Sequence, residues 1–237
     1  VLDVGSGLAQ FTRAMARAAG PHGRLVGIEA DEGQMAEALR QAGAYGEAEL
    51  AEPRRGDAMA LPLREDEWAS FDVAHARFIL EHVADPLAAV RQMVAAVRPG
   101  GRIVLADDDH DVLRLWPEPP GFESAWRAYM RTYDRLGNDP YVGRRLVALL
   151  HDAGALPRRN NWIFFGGCSG GPTFDAITSN LVGILDGARG AILDRDLLPR
   201  DVFDAGLDAF RTWSHRPDAA LWFAICWAEG VRPSAGP

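Results

Sequence analysis

Val1-Leu2-Asp3-Val4-Gly5-Ser6-Gly7-Leu8-Ala9 opens the chain and decides how the rest is read. Val1 to Val4 are apolar apart from Asp3 and read as a short buried strand. Gly5 and Gly7 allow a sharp bend and a close approach of backbone to a ligand. Phe11 to Ala19 then reads as a helix. Strand, Gly-x-Gly turn and helix form a cradle for a nucleotide-type ligand, because the turn amides and the helix N-terminus face the space above the strand end. A dinucleotide fingerprint would place a third glycine where this chain has Gln10. The pattern is therefore acidic-x-Gly-x-Gly, in Asp3-Val4-Gly5-Ser6-Gly7.

Outward from this turn, short apolar runs alternate with helical patterns. Gly20-Pro21-His22-Gly23 is a breaker cluster, and Arg24 to Glu29 is a second strand ending in an acid. Glu29 sits roughly 20 positions past the turn, where an acidic side chain can accept hydrogen bonds from ribose hydroxyls. Asp31 caps a helix reaching Ala42, with Gln34 closing a capping box. A third strand over Glu49 to Arg54, with Pro53 marking it as an edge, delivers Gly56-Asp57-Ala58. Asp57 can take an adenine amino group, and Ala58, Met59 and Leu61 can line the ring. Phe71 to Ala76 is a fourth strand. Asp85-Pro86 starts a helix to Arg98, stopped at Pro99-Gly100-Gly101, and Arg102 to Ala106 is a fifth strand. This alternation predicts an α/β, doubly wound, mostly parallel sheet.

Five motifs in order carry a resemblance. They are Asp3 to Gly7, Gly27-Ile28-Glu29-Ala30-Asp31, Gly56-Asp57-Ala58, Phe71-Asp72-Val73 through Leu80-Glu81-His82-Val83, and Val97-Arg98-Pro99-Gly100-Gly101. Together they resemble the class I S-adenosylmethionine-dependent methyltransferases and are similar to the small-molecule enzymes of ubiquinone and menaquinone biosynthesis. Ala9 stands where that family often has another glycine. The resemblance implies a Rossmann-like sheet with an antiparallel last strand and S-adenosylmethionine as cofactor. Its cofactor-binding positions fall on Asp3, Gly5, Ser6, Gly7, Glu29, Ala30, Asp57, Ala58, Met59, Ala76 and Arg77. The backbone around His75 and Ala76 would meet the methionine part, and Arg77 its carboxylate.

The second half reads as a helix over Phe122 to Leu136, another from Asp139-Pro140 to Gly154, and a strand at Asn161 to Phe165. A glycine-rich loop, helices between 173 and 213, and a last strand at Leu221 to Trp227 follow. The expected organisation is one domain over 1–237: a cofactor-binding core at 1–107, a helical cap inserted after the fifth strand at 108–156, and the sixth and seventh strands with a helical insertion at 157–230. The chain opens inside a strand without Met, so residues before it are expected.

Composition narrows the chemistry. Net charge is −8 and pI is near 5.2, which argues against nucleic acid or an anionic membrane as the main partner. All 25 basic residues are arginine, which excludes lysine Schiff bases, pyridoxal phosphate attachment and a Walker lysine. Two cysteines, Cys168 and Cys226, make neither a disulfide framework nor a zinc site, and a cytoplasmic setting is the expectation. No apolar run approaches the ~20 residues of a membrane helix.

The expected reaction is methyl transfer to a small, mostly apolar or aromatic metabolite by a monomer or homodimer. Alignment of donor and acceptor can supply most of the acceleration. His82 and Asp108 are the catalytic candidates, with a structural role for His82 as the competing reading. The acids at 107–111 offer hard oxygens to Mg²⁺. Catechol-type enzymes also need an acid where this chain has Ala76 and Arg77, so no metal is expected. Trp116, Trp126, Tyr129, Tyr133 and Arg144 are the acceptor-binding candidates, because three of the aromatics share one helix face. The rival readings are an S-adenosylmethionine-binding regulatory or assembly protein without turnover, and an NAD-dependent oxidoreductase.

Overall fold

The three-residue run Leu2–Val4 is fully buried, and its neighbours in space are the other apolar runs that follow it in sequence. The computed structural model describes residues 1–135 and 137–234. In chain order its elements are β1 (Leu2–Val4), α1 (Gln10–Ala19), β2 (Val26–Glu29), α2 (Glu32–Ala44), β3 (Glu52–Arg55), β4 (Phe71–Arg77), α3 (Pro86–Ala96) and β5 (Val97–Asp108). Then come β6 (Arg114–Trp116), α4 (Phe122–Arg131), α5 (Leu146–Asp152), β7 (Leu156–Cys168), α6 (Phe174–Leu193), α7 (Arg200–Trp213) and β8 (Ala220–Val231). The chain divides into two units. The first holds residues 1–108, 142–161 and the segment from Cys226 onward; the second holds 109–141 and 162–225.

In the first unit the strands lie in the order β3-β2-β1-β4-β5-β8. The pairs β2–β3, β1–β2, β1–β4 and β4–β5 are all parallel. The order therefore reverses at β1 and β4, which is the switch point of a doubly wound sheet. Leu2, Val4, Val26, Ile28, Ala74, Ile103 and Leu105 fill the core from the sheet, and Ala89, Val90 and Met93 from α3. Asp85 accepts from Ala88 N to cap α3, with Pro86 at its first position. Beside the start of β2 and β3, the buried Glu67 carboxylate takes Arg54 at 2.6 Å, Arg64 at 2.7 Å and Arg24. These guanidiniums hold its carboxyl well below the usual carboxylate range.

The second unit is mainly helical. Phe122 and Trp126 of α4, Phe174 of α6, and Phe203, Phe210 and Trp213 of α7 form its core with Leu221 of β8. Phe122 packs on Phe210 with ring centroids 4.5 Å apart. Gly206 lets α7 approach the start of α4: a Cβ there would lie 2.7 Å from the Gly121 carbonyl oxygen. Short β6 pairs antiparallel with β8, Trp116 opposite Ala220 and Arg114 opposite Trp222. Strand β7 pairs β8.

Several bounds differ from the sequence reading. β5 starts at Val97 and runs through Pro99-Gly100-Gly101, because Gly100 N donates to Arg232 O and Arg232 N to Gly101 O. α4 stops at Arg131, followed by a 3₁₀ turn at Tyr133–Arg135; the expected end, Leu136, lies outside the described residues. The stretch after Asp139-Pro140 is a 3₁₀ turn at Val142–Arg145 and the two-turn helix α5. β7 extends well beyond Asn161–Phe165 on both sides, and β6 lies in a stretch to which the sequence assigns no element.

Candidate cofactor and acceptor sites

The turn after β1 is built as the glycines require. Gly5 (φ +71°) and Gly7 (φ +53°) are left-handed, a conformation that side chains disfavour. A Cβ on Gly5 would also sit 2.9 Å from the Ile79 side chain, whereas one on Gly7 would meet only the Gln34 amide oxygen at 3.1 Å. Gly5 N and Ser6 N both donate to Ile28 O at 2.9 Å, tying the turn to β2. Glu29 at the end of β2 then receives Gly7 N on one carboxylate oxygen at 2.8 Å, and Ala30 N and Asp31 N on the other at 2.9 Å. Three backbone amides thus fix the carboxylate across the turn. No side chain caps α1, so the dipole at its start faces the same region.

Asp3 is buried and needs partners. The observed ones are Thr12, whose hydroxyl donates to Oδ2 at 2.5 Å, and His75, whose Nδ1 lies 2.8 Å from Oδ1. His75 is packed against Phe11, with ring centroids 4.9 Å apart. The exposed Arg77 guanidinium lies over Phe11 at 4.7 Å and over Phe78 at 5.2 Å. Phe78 itself has φ +55°, a costly backbone for an aromatic residue. Ala76, between them, is fully buried. Past the end of β3, Asp57 is exposed and accepts from Met59 N at 2.8 Å, while Ala58 and Leu61 are buried. The cofactor-binding candidates thus all stand at the carboxyl ends of β1 to β4.

The catalytic candidates belong to the same unit. His82 is exposed on the 3₁₀ turn Leu80–His82, its Nε2 3.5 Å from the buried Glu81 carboxylate. Asp108 is half-buried at the end of β5. Its neighbour Asp107 is wholly buried and accepts from Ile79 N at 3.2 Å and Leu80 N at 2.8 Å. Burial first, and then the charge of Glu81, push the Asp107 carboxyl up to about 8. A largely protonated Asp107 therefore pins the loop that backs Gly5.

In the second unit a cleft of 370 Å³ lies between β6 and α4, lined by Leu113, Trp116, Phe122, Trp126 and Met130 with Arg114 on its wall. Trp126 is buried, and its indole N–H donates to His110 O at 2.8 Å. Tyr129 and Tyr133 bring their hydroxyls within 2.8 Å of each other. Their rings and that of Trp126 surround the buried His110 at centroid distances of 5.4, 5.7 and 5.6 Å. Three of the acceptor candidates thus converge on one imidazole. Trp116 is exposed at the cleft rim, and Arg144 is exposed on the turn Val142–Arg145 of the first unit. Sequence reasoning missed His110, which was hidden among the acids 107–111, and the role of His75 as partner of Asp3.

Comparison with known proteins agrees with this arrangement. The family model described as a methyltransferase domain matches residues 2–105. That match spans β1 to β5 and is a similarity of this part of the chain to the methyltransferase domain. The demethylmenaquinone methyltransferase of Bacillus velezensis is 33% identical over 132 residues, which are 55% of this chain and 52% of that protein. The chain spans about half the length of the curated relatives it matches. Among solved structures, the [4+2]-cyclase SpnF superposes with a TM-score of 0.58 at 20% identity, covering 99% of this chain and 75% of that one. Geranyl diphosphate C-methyltransferase from Streptomyces coelicolor, solved with Mg²⁺, geranyl diphosphate and S-adenosyl-L-homocysteine, gives 0.55 at 12% identity, covering 98% and 70%. The mostly parallel, mixed sheet thus shares the Rossmann-like fold of these structures. No helix among the described residues is long and apolar enough to cross a membrane.

Proposed function

We propose that the chain binds S-adenosylmethionine at the carboxyl ends of β1 to β4 and transfers its methyl group to a small, mostly apolar or aromatic metabolite. The observation that carries this reading is the Glu29 carboxylate, locked by Gly7, Ala30 and Asp31 amides beside a glycine turn. A carboxylate with fixed orientation is suited to accept two vicinal ribose hydroxyls, and the donor set fits a neutral sugar rather than a phosphate. Asp57 would take the adenine edge, with Ala58 and Met59 along the ring. Arg77, held flat by Phe11 and Phe78, would pair with the amino-acid carboxylate.

The cofactor supplies an electrophilic methyl carbon; the residues of this chain hold, orient and dry the two reactants. Positioning is the main contribution, since methyl transfer discharges the sulfonium rather than building charge. His82 and Asp108 remain the side chains nominated to receive a proton where the acceptor must lose one. The acceptor is assigned to the aromatic set Trp126, Tyr129 and Tyr133 with the neighbouring cleft, whose aromatic wall is ringed by the charged side chains Asp111, Arg114, Glu118, Glu123 and Arg127.

A second reading has one observation in its favour. A [4+2]-cyclase shares the fold, and a fold does not fix the reaction it hosts. Calorimetry with S-adenosylmethionine and its demethylated product, followed by mass spectrometry of a metabolite library with labelled cofactor, separates the readings. Binding with a mass gain of one methyl in one library member is the expected result. Absence of binding to either form removes the cofactor assignment, and binding without any methylated product favours the second reading.

A further inference from the structure

The second unit carries an aromatic sheet face of which the methyl-transfer reading uses only Trp116, at the rim of the acceptor cleft. Strand β7 holds Trp162-Ile163-Phe164-Phe165 in succession, and all four are exposed. Side chains two apart on a strand share a face. Trp162 and Phe164 do so, with edge-on ring contact at 5.6 Å. Phe165 touches Phe223 at 5.3 Å on the other face, where Leu115, Leu221 and Phe223 pack on the helices. Alternation then puts Trp222 on the outer face with Phe164. Trp116 joins them, because Arg114 stands opposite Trp222 in the β6–β8 register and Trp116 lies two residues on. Trp116 is 68% exposed, Phe164 67%, Trp222 50% and Trp162 49%.

We propose that this outer face of β6, β8 and β7 is where a second copy of the chain docks. The exposed parts of the four rings amount to on the order of 500 Å², since each such side chain offers 150–250 Å². Pairing two copies about a twofold axis covers twice that, on the order of the 1,000 Å² that a specific interface needs before its polar rim is counted. Exposed apolar patches of this size on one chain mark contact sites, and tryptophan is the residue most enriched at their energetic centres. The edge is suited to the same partner. β7 pairs β8, and its stretch from Trp162 to Cys168 contains no charge and no proline, the residues by which strand edges resist pairing. A lipid surface fits less well, because the chain has no lysine and a net charge of −8, which anionic headgroups repel.

The test is sedimentation velocity of the chain over roughly 1 to 100 µM, with Phe164→Arg and Trp222→Arg as variants. The expected result is a reversible dimer, weakened at least tenfold by either change, with S-adenosylmethionine affinity and the melting transition of the dilute chain unchanged. Hydrogen exchange provides a reading that needs no variant: the β7 amides should be protected at high concentration and released on dilution. A chain that stays monomeric throughout, or a dimer indifferent to both substitutions, overturns the proposal. So does a monomer that binds phosphatidylcholine vesicles through Phe164 and Trp222.

Discussion

Asp3 and His75 are register partners in the parallel pair β1–β4, and their side chains meet inside the sheet layer with Oδ1 2.8 Å from Nδ1. The contact joins the first strand to the strand that ends in Arg77. Thr12 completes it from α1. The nucleotide-type turn is thus fixed from below by a polar cluster with three members on three elements.

Asp3→Ala strands the Thr12 hydroxyl and the His75 ring nitrogen in a buried site. Each orphaned group costs about 1–3 kcal/mol. The expected loss is about 2 kcal/mol or more, read as a lower urea midpoint at unchanged slope. A variant as stable as the parent would show that the cluster contributes nothing net.

Glu29→Ala removes the acceptor that Gly7, Ala30 and Asp31 hold in place. Affinity for S-adenosylmethionine should weaken by about 1.5–3 kcal/mol, the range for hydrogen bonds to a charged group. Calorimetry measures this directly, and undiminished affinity would remove the ribose assignment.

Asp107 gives the fold a pH dependence with a definite sign. Its folded value is raised to about 8 by burial and by Glu81. Between the ordinary carboxylate range and about pH 8, the folded chain binds a proton that the unfolded chain has released. Stability from this group is therefore complete below the ordinary value and falls as pH rises through the window, by at most about 1.4 kcal/mol per pH unit. Asp107→Asn should flatten urea midpoints between pH 5 and 8. An equal slope in parent and variant would assign the dependence elsewhere.

Tyr129 and Tyr133 test the acceptor assignment. Tyr133→Ala opens a hole beside His110, and emptying an aromatic site costs about 3–5 kcal/mol, so the hydroxyl-only changes Tyr129→Phe and Tyr133→Phe are the cleaner probes. They should raise the acceptor KM or lower kcat while leaving cofactor affinity within about twofold. Unaltered acceptor kinetics in both would move the acceptor away from this cluster.

Turnover should survive chelation, because Ala76 and Arg77 occupy the end of β4 where a carboxylate ligand would be required. Activity lost in EDTA and restored by Mg²⁺ would instead promote the acids after β5 to ligands.

The sheet from β1 to β5 was legible because each strand ends in its own punctuation: Gly5 to Gly7, Glu29, Gly56-Asp57, Arg77, and the acids after Ala106. β6 was not, since Arg114-Leu115-Trp116 is too short to show alternation and is followed directly by Pro117. β7 looked shorter than it is because Arg158-Arg159-Asn160 shows no apolar alternation, although an edge strand tolerates polar residues on both faces. The Asp3–His75 contact joins positions far apart in sequence. Only the register of β1 against β4 brings them together, and no local pattern carries that. His110 was passed over because its meaning comes from rings on α4 and β8, whereas its sequence neighbours are acids.

The two glycines of the first turn are not equally replaceable over evolutionary time. Position 5 is closed twice, by a left-handed backbone and by Ile79 packed where a side chain would begin. Trimming Ile79 relieves only part of one barrier, because its Cβ itself stands 2.9 Å away, and leaves the other, so no single compensating change reopens it. Position 7 is closed once, by its backbone alone, with only the movable end of Gln34 nearby. Asparagine, which tolerates that conformation best among residues with side chains, is the cheapest exit there. Substitution at the second glycine is therefore expected to cost the fold less than substitution at the first.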